Sequence, residues 1–349
     1  MSTLTIALAS LGGVVLAGIV AQGAWAARKA GPKRAMQPEP SEPREPVMDA
    51  SGGDADDADV IALPEALAER RPNRRVVQRL DALIDSIATL SLEAPISAAV
   101  ALVHLPTTRR AGGKPFLIEG LNSESGEWEF PAGGQHYGEF QAGVQLANRT
   151  GALNEIEFSE FVQKIQVFAD GIGAFAQFQD MLEAVAAARE LDHFAGEHDA
   201  QLAVRLQARA AAWSVGYIQQ HAGRHGFVPG VVPGRLVLPS VDEGAPPVLT
   251  LTFDSQAALA DDPNLSAVRD VTLSFDVPQT EPGVQPFAAW QASALALAQG
   301  MEASIVDDNG RPLSTDGFSA IGNELGKLYA ALEGRDLAAG SAAARRLFS

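Results

Sequence analysis

An uncharged apolar run opens the chain, and a cluster of basic residues follows it at once. The run extends from Leu4 to Trp25, and the basic residues are Arg28, Lys29, Lys33 and Arg34. About 20 apolar residues in a helix match the ~30 Å hydrocarbon core of a bilayer, and basic flanks favour the cytoplasmic side. The pattern predicts an uncleaved membrane anchor over residues 1–27, with the rest of the chain in the cytoplasm. A cleaved signal peptide is the alternative, but no basic residue precedes the run.

The next two segments differ sharply in pattern. Residues 28–69 are rich in Pro, Glu and Asp and poor in large apolar residues, which predicts a disordered tether. Residues 70–94 carry apolar side chains three and four positions apart, which predicts an amphipathic helix with a basic start. These side chains are Val76, Val77, Leu80, Leu83, Ile84, Ile87 and Leu90. The basic start either is solvated or contacts an anionic membrane surface.

Beyond Pro95, short alternating segments interleave with Ala-rich helical patterns, which predicts a mixed α+β fold. In residues 95–199 the predicted strands are Ile96–Leu105, Phe116–Leu121, Trp128–Phe130, Phe140–Leu146 and Lys164–Phe168, and the predicted helix is Phe175–Leu191. In residues 200–337 the predicted strands are Gln201–Leu206, Leu236–Leu238, Val248–Phe253, Val271–Val277 and Ala303–Val306. The predicted helices there are Ala211–His221, Pro286–Gln299 and Thr315–Leu332, and residues 338–349 are predicted to be a flexible tail.

The order of these elements suggests a partial internal duplication. Placing Phe178 on Phe287, an offset of 109 residues, also places Asp199 on Asp308. In this overlay both copies contain a strand, a Gly/Pro turn and a helix. The first copy lacks the final helix.

The composition of the chain limits the classes of partner that its folded part is expected to bind. The formal net charge is −17, which disfavours nucleic acid and anionic surfaces as partners of the folded part, so a protein partner is the default. The chain has no cysteine, which excludes disulfides, thiolate zinc sites and thiol nucleophiles.

No motif in the chain predicts catalysis, a cofactor, a metal site or a small-molecule substrate. Lys114 lacks the glycine spacing of a phosphate loop, and Gly322–Lys327 lies within a helical pattern. His221 and His225 have no evident third metal ligand. Asp307–Gly310 lacks the remaining ligands of a calcium loop, so it predicts a tight turn with Gly310 at positive φ. The chain is therefore predicted not to be an enzyme.

Four segments in the last part of the chain resemble the C-terminal domain of the ZipA family of bacterial cell-division proteins. They are QLAVRL, GYIQQHAGRHGF, VTLSFDVP and MEASIVDDNGRPLSTDGF, in this order, behind an apolar run and a Pro/acid-rich segment. The resemblance extends over roughly residues 200–332. The tether is shorter than in well-known members, and residues 95–191 have no counterpart there except as the suspected extra copy.

The family resemblance implies an architecture and a role. It implies a split β-α-β domain over residues 200–337, with helices on one face of an antiparallel sheet and the C-terminal tail of FtsZ on the other. It also implies a single-pass inner-membrane protein at the division septum, with a periplasmic N-terminus, that tethers FtsZ polymers. The residues that the resemblance places at the peptide cleft are Val232, Leu236, Val248, Thr250, Thr252, Thr272 and Ser274.

Two other roles remain open. One is a membrane-anchored adaptor of the same fold that binds a different cytoplasmic protein through the first copy, 95–199. The other is an outward-facing envelope enzyme or solute-binding domain. The cleft of the family is mostly aliphatic and aromatic, whereas Thr and Ser predominate at the matching positions here.

Overall fold

A computed structural model describes residues 79–242, 244–260, 262 and 265–349. The predicted anchor at 1–27, the predicted tether at 28–69 and residues 70–78 of the predicted amphipathic helix lie outside the described residues. Within the described ranges, no helix combines the length and the hydrophobicity needed to cross a membrane.

The first unit, residues 79–199, is an antiparallel sheet packed against helices. Its strands are β1 (Asp85–Ser97), β2 (Arg110–Ala111), β3 (Lys114–Asn122), β4 (Trp128–Glu129), β5 (His136–Gln145), β6 (Ala147–Asn148), β7 (Gly151–Ala152) and β8 (Phe175–Gln177). Its helices are α1 (Ala98–His104), α2 (Glu155–Ile172) and α3 (Met181–His198). The strand order is β2-β3-β5-β1-β8, with β4 beside β3 and a separate β6-β7 pair.

The central helix of this unit, α2, has clear start and stop signals. Asn154 accepts hydrogen bonds from the N–H groups of Ile156 and Glu157, and Glu157 completes a capping box. The helix ends at Gly173, whose φ of 70° is left-handed. Its aromatic face packs on the sheet, with the rings of Phe116 and Phe161 5.7 Å apart. Sheet and helices therefore share one core.

The second unit, residues 200–333, is also an antiparallel sheet with helices. Its strands are β9 (Gln201–Ala208), β10 (Val228–Pro229), β11 (Arg235–Leu238), β12 (Leu249–Thr252), β13 (Asp270–Asp276) and β14 (Ala303–Val306). Its helices are α4 (Val215–Arg224), α5 (Ser255–Ala258), α6 (Pro286–Gly300) and α7 (Thr315–Glu333), with a 3-10 turn at Pro282–Val284. The strand order is β10-β11-β12-β13-β9-β14. The predicted mixed α+β fold with antiparallel sheets is confirmed.

The two units have the same order of elements. The series β1, α1, β3, β5, α2, β8, α3 corresponds to β9, α4, β12, β13, α6, β14, α7. The strand orders agree as well, because β3-β5-β1-β8 corresponds to β12-β13-β9-β14. The first unit therefore has a final helix, α3, which the sequence overlay did not give it. The overlay of Phe178 on Phe287 is wrong, because Phe178 follows β8 whereas Phe287 lies in α6. The many alanines in both segments had raised the apparent similarity of the two sequences.

The predicted helix over residues 70–94 is wrong where the structure describes it. Asp85–Ser97 form strand β1, hydrogen-bonded to β5 on one side and to β8 on the other. Ala88 and Leu90 are buried while Thr89 and Ser91 are exposed, which is the period of a strand. Ile87 and Leu90, three positions apart, would share a face in a helix but point to opposite faces of β1, and pairing with two neighbouring strands selects the extended form.

Two predicted strands are helical. The segment Ile96–Leu105 contains α1, and Lys164–Phe168 lies inside α2. Short apolar runs do not distinguish a strand from a buried helix, and the capping box ten residues before Lys164 extends α2 through it. The predicted helix Phe175–Leu191 begins only at Met181, after the Asp180 cap, because residues 175–177 form the edge strand β8.

The predicted flexible tail at 338–349 is also wrong. Residues Ala342–Leu347 form a helix, α8, and the C-terminal segment 334–349 contributes Leu337, Leu347 and Phe348 to the core of the first unit. The guanidinium of Arg346 forms a bidentate ion pair with the carboxylate of Asp85, at N–O distances of 2.7 and 2.5 Å. The chain thus crosses from the second unit back to the first.

A second ionic contact joins the units near this crossing. Arg149 of the first unit donates to Asp199, and its Nη1 lies 2.7 Å from a carboxylate oxygen of Asp276 on β13. The hydrogen bonds to Asp199 and then to Asp276 raise the pKa of Arg149 above its usual value. Arg149 and α8 together hold the units in contact.

Candidate functional site

The two faces of the second sheet differ in what covers them. Leu206, Leu251 and Leu273 on β9, β12 and β13 are fully buried against the helices. Trp290 of α6 donates its indole N–H to the carbonyl of Leu273 at 3.0 Å, which fixes α6 on this side. Because side chains alternate along a strand, the residues between these leucines point to the opposite, open face.

Register places the residues of the open face in two rows across the sheet. One row is Arg235, Thr252, Thr272 and Arg205, each opposite the next on adjacent strands. The other row is Val237, Thr250, Ser274 and Ala203. These eight residues are called the open face from here on. Its centre consists of short hydroxyl side chains and is bordered by two arginines.

The structure brings four of the seven predicted cleft residues onto the open face. Thr250, Thr252 and Thr272 are half-buried there, and Ser274 is buried. Leu273 and its neighbours Val271 and Phe275 are buried on the helix side of the sheet. The alternation of TLTF and VTLSF was therefore sufficient to separate the faces of β12 and β13.

Three of the predicted cleft residues have little accessible surface, because Ser274 is only 6% exposed on the open face and two others lie in the core. Leu236 is 3% exposed and lies opposite Leu251, so it points into the helix-facing core. Residues opposite each other on paired strands share a face, and the neighbouring residue, Val237, takes the position on the open face. Val248 precedes β12 and is 1% exposed within the same core. Leu236 is assigned to the core only by the pairing of β11 with β12, and the local sequence pattern does not reveal this pairing.

Val232, the remaining predicted residue, borders a groove at the β11 end of the sheet. The groove has a volume of about 510 Å³. Val231 and Val232, in the hairpin between β10 and β11, are among the most exposed large apolar residues. The groove continues onto the open face through Arg235 and Val237. Its other lining residues include Pro229, Pro239 and Pro247. Exposed apolar side chains beside a groove are typical of a protein-binding surface.

The open face also carries positive charge, which the sequence analysis did not use. Arg235 is exposed, Arg205 is half-exposed, and Arg209 follows on the same side of β9, with its Nε 3.3 Å from the hydroxyl of Ser304. Asp270 and Asp276 are the acidic residues of β13 on this side, and Asp276 is paired with Arg149. Because side chains alternate along QLAVRLQAR, Arg205 and Arg209 fall on the same face, so the sequence already indicated positive charge on that face.

Part of the corresponding face of the first sheet, around Glu119 and Gly143, is covered by the chain itself, whereas Thr89 in the same row is exposed. The amide of Leu80 donates to a carboxylate oxygen of Glu119 at 3.2 Å, and Arg79 lies 3.4 Å from the same carboxylate. Glu119 is 1% exposed. The side chain of Leu80 lies so close over Gly143 of β5 that a Cβ at this glycine would overlap it. Arg79 and Leu80 therefore cover part of the face that is open in the second unit.

The segments at Lys114 and at Asp307–Gly310, which lack the features of a phosphate loop and of a calcium loop, have structural roles. The Lys114 amine is buried and donates to Asn148 Oδ1 at 2.6 Å and to Thr150 Oγ1 at 3.2 Å; burial lowers its pKa. Asp307 accepts from the N–H groups of Asn309 and Arg311, and Gly310 has φ 76°, which confirms the predicted tight turn. These contacts tie loops to strands.

No protein-family model matches this chain, and no curated protein matches it in sequence.

Proposed function

We propose that this protein is a membrane-anchored, non-enzymatic cell-division protein that captures the C-terminal tail of FtsZ on the open face of its second sheet. The apolar run Leu4–Trp25 would hold it in the bacterial inner membrane, and residues 28–69 would give reach. The resemblance of residues 200–332 to the ZipA family motivates the partner. Both units would then be split β-α-β copies of one ancestral domain.

One observation supports placing the peptide-binding site on the second sheet. Of two sheets that share a four-strand order, the first has part of its helix-free face, around Glu119 and Gly143, covered by Arg79 and Leu80, whereas in the second Thr250, Thr252 and Thr272 and the adjoining groove are accessible. A peptide laid across the second sheet meets no competing segment among the described residues. Because the membrane would confine many such proteins to one layer, weak individual contacts along a polymer would add up through avidity.

A second candidate is an adaptor of the same fold for a different cytoplasmic protein. The observation that favours it is the chemistry of the open face, where Thr250, Thr252 and Thr272 stand in place of the aliphatic and aromatic residues that the family resemblance would lead one to expect. If the adaptor used the first copy instead, residues 79–81 would first have to leave the sheet.

Two neighbouring substitutions test the proposed site. Thr272→Glu would place a strongly hydrated carboxylate on the open face, and we expect it to weaken binding of an FtsZ tail peptide by about 30-fold, or ~2 kcal/mol, with little change in thermal stability. Leu273→Glu is the matched control, because it would bury a charge against Trp290 and unfold the second unit. Thermal melts and fluorescence-anisotropy titrations of the full chain separate the two effects.

Two results would contradict the proposed site or the proposed partner. If Thr272→Glu leaves peptide affinity unchanged while the wild-type chain binds, the peptide lies elsewhere. If the wild-type chain does not bind the FtsZ tail at all, the partner is wrong and the adaptor function is favoured.

A further inference from the structure

We propose that the open face of the second sheet recognises an acidic peptide segment, whose carboxylates are bound by Arg205 and Arg235 from the two sides of the hydroxyl-lined centre. This inference rests on the proposed function for its choice of face, but it concerns the chemistry of the bound segment and not the identity of the partner. It would hold equally for FtsZ and for another protein.

The first argument is the position of the two arginines. Arg235 on β11 and Arg205 on β9 end one row, with Thr252 and Thr272 between them. Three steps between adjacent strands, at about 4.8 Å each, separate their backbones by roughly 14 Å. An extended peptide laid across the strands along this row would therefore meet one arginine near each end of the hydroxyl-lined centre.

The second argument is that neither guanidinium is neutralised. Arg235 Nη2 donates to the hydroxyl of Thr250 at 3.3 Å, and Arg205 Nη2 donates to the backbone carbonyl of Asp308 at 2.9 Å. Both acceptors are uncharged, and no carboxylate among the described residues forms an ion pair with either arginine. A guanidinium has five N–H donors, so most of them remain for a ligand.

Several other arginines of the chain are paired with carboxylates, so the lack of a charged partner among the described residues at Arg205 and Arg235 is a property of this face. Arg149, Arg335 and Arg346 each contact a carboxylate at 2.7 Å or less. In a chain of net charge −17, carboxylates are abundant, so two unpaired arginines in one row of a sheet form a local positive site. Planar guanidinium groups suit carboxylates because they bind them bidentately.

The charge of the chain argues for a peptide and against a lipid surface. A net charge of −17 repels an anionic membrane as a whole, and Asp270 lies on the same side of the sheet as the arginines. A short peptide carries few charges and meets only the local field of the face, so this repulsion is weaker for it than for an extended anionic surface. The hydroxyls of Thr252 and Thr272 also offer hydrogen bonds to a peptide backbone.

The geometry also gives the spacing of the acidic residues. An extended peptide rises about 3.3 Å per residue, so carboxylates about four residues apart match the ~14 Å between the arginine backbones. We expect peptides with acidic residues at this spacing to bind more tightly than peptides with the same two acidic residues adjacent.

The test selects peptides without assuming a partner. A random twelve-residue library is panned on the full chain in nanodiscs of zwitterionic lipid, and then on Arg205→Gln/Arg235→Gln. Binders that require the arginines are expected to be enriched in Asp and Glu. Each single variant should weaken a selected peptide about fivefold, and the double variant about 25-fold. Arg224→Gln, at the end of α4 and outside the sheet, is the matched control and should change nothing.

Four outcomes would overturn the inference. Selected peptides without an excess of Asp and Glu would do so, as would acidic peptides that bind both chains equally. Arginine-dependent binding to phosphatidylglycerol vesicles without arginine-dependent peptide binding would identify the ligand as lipid. An FtsZ tail peptide that binds equally well to the wild-type chain and the double variant would remove the inference but leave the proposed function standing. Acidic binders with no FtsZ binding would do the reverse.

Discussion

The buried ion pair between Arg346 and Asp85 offers a sharp test of how the C-terminal segment is held. The side chains are 7% and 0% exposed, and two N–O contacts of 2.7 and 2.5 Å join them. Arg346 Nη1 also donates to the carbonyl of Arg79 at 2.8 Å. The perturbation is Arg346→Met, which keeps an unbranched apolar stem and removes the charge and the donors.

The expected cost follows from the carboxylate that remains. Removing one member of a buried ion pair leaves the other charge uncompensated, which destabilises a protein by about 3–5 kcal/mol. Total stabilities are about 5–15 kcal/mol, so the loss should be visible as a large shift of the urea midpoint. Burial raises the pKa of the Asp85 carboxyl, and Arg346 opposes that rise. Without Arg346 the pKa should rise further, and the deficit should shrink as pH falls and Asp85 becomes neutral.

The assay is urea unfolding of the full chain followed by circular dichroism at neutral and at mildly acidic pH. Arg345→Met is the matched control, because Arg345 donates only to the carbonyl of Gln279 at 3.2 Å, and its loss should cost about 1 kcal/mol or less. Asp85→Leu combined with Arg346→Met should recover most of the stability, since no charge is left buried. Equal effects of Arg345→Met and Arg346→Met would refute the docked C-terminal segment.

Two further predictions concern Tyr329 and the N-terminus. Burial raises the pKa of Tyr329 to about 12, above an unfolded value of about 10, so stability present below pH 10 is lost as pH rises towards 12. Its hydroxyl has no partner among the described residues, so Tyr329→Phe should add about 1 kcal/mol and remove the most alkaline phenolate transition at 295 nm; retention of that transition would contradict the assignment. Deleting residues 1–26 should leave a soluble chain that binds the partner peptide with unchanged affinity but no longer sediments with vesicles. Loss of peptide binding in solution would show that the N-terminus belongs to the fold.

Local sequence determined much of the second unit. Alternation in VTLSF and LTLT identified β13 and β12 and separated their faces, because residues two apart share a face whatever the neighbouring strand. The predicted strand Ala303–Val306 is confirmed at both ends, and the predicted helix Thr315–Leu332 differs from α7 by one residue. Ser314 caps that helix through its side chain, which is a local signal.

Tertiary contacts decided what local pattern left ambiguous. Residues 85–97 became a strand because β5 and β8 pair with both edges, and Leu236 faces the core because β11 pairs with β12 in one particular register. The order of the strands, which relates the two units, is likewise a property of pairing between distant segments. An overlay by sequence offset could not recover it.

The C-terminal segment and the choice of open face depended on the longest-range contacts. Arg346 lies 261 residues from Asp85, and nothing local distinguishes a buried arginine from a solvated one. In the same way, the covering of the first sheet by Arg79 and Leu80 depends on Glu119 and Gly143, which are distant in sequence. Alternation along a strand states which side chains point outward. Only packing of the whole chain decides whether that side remains open, because covering it requires segments that sequence spacing does not bring together.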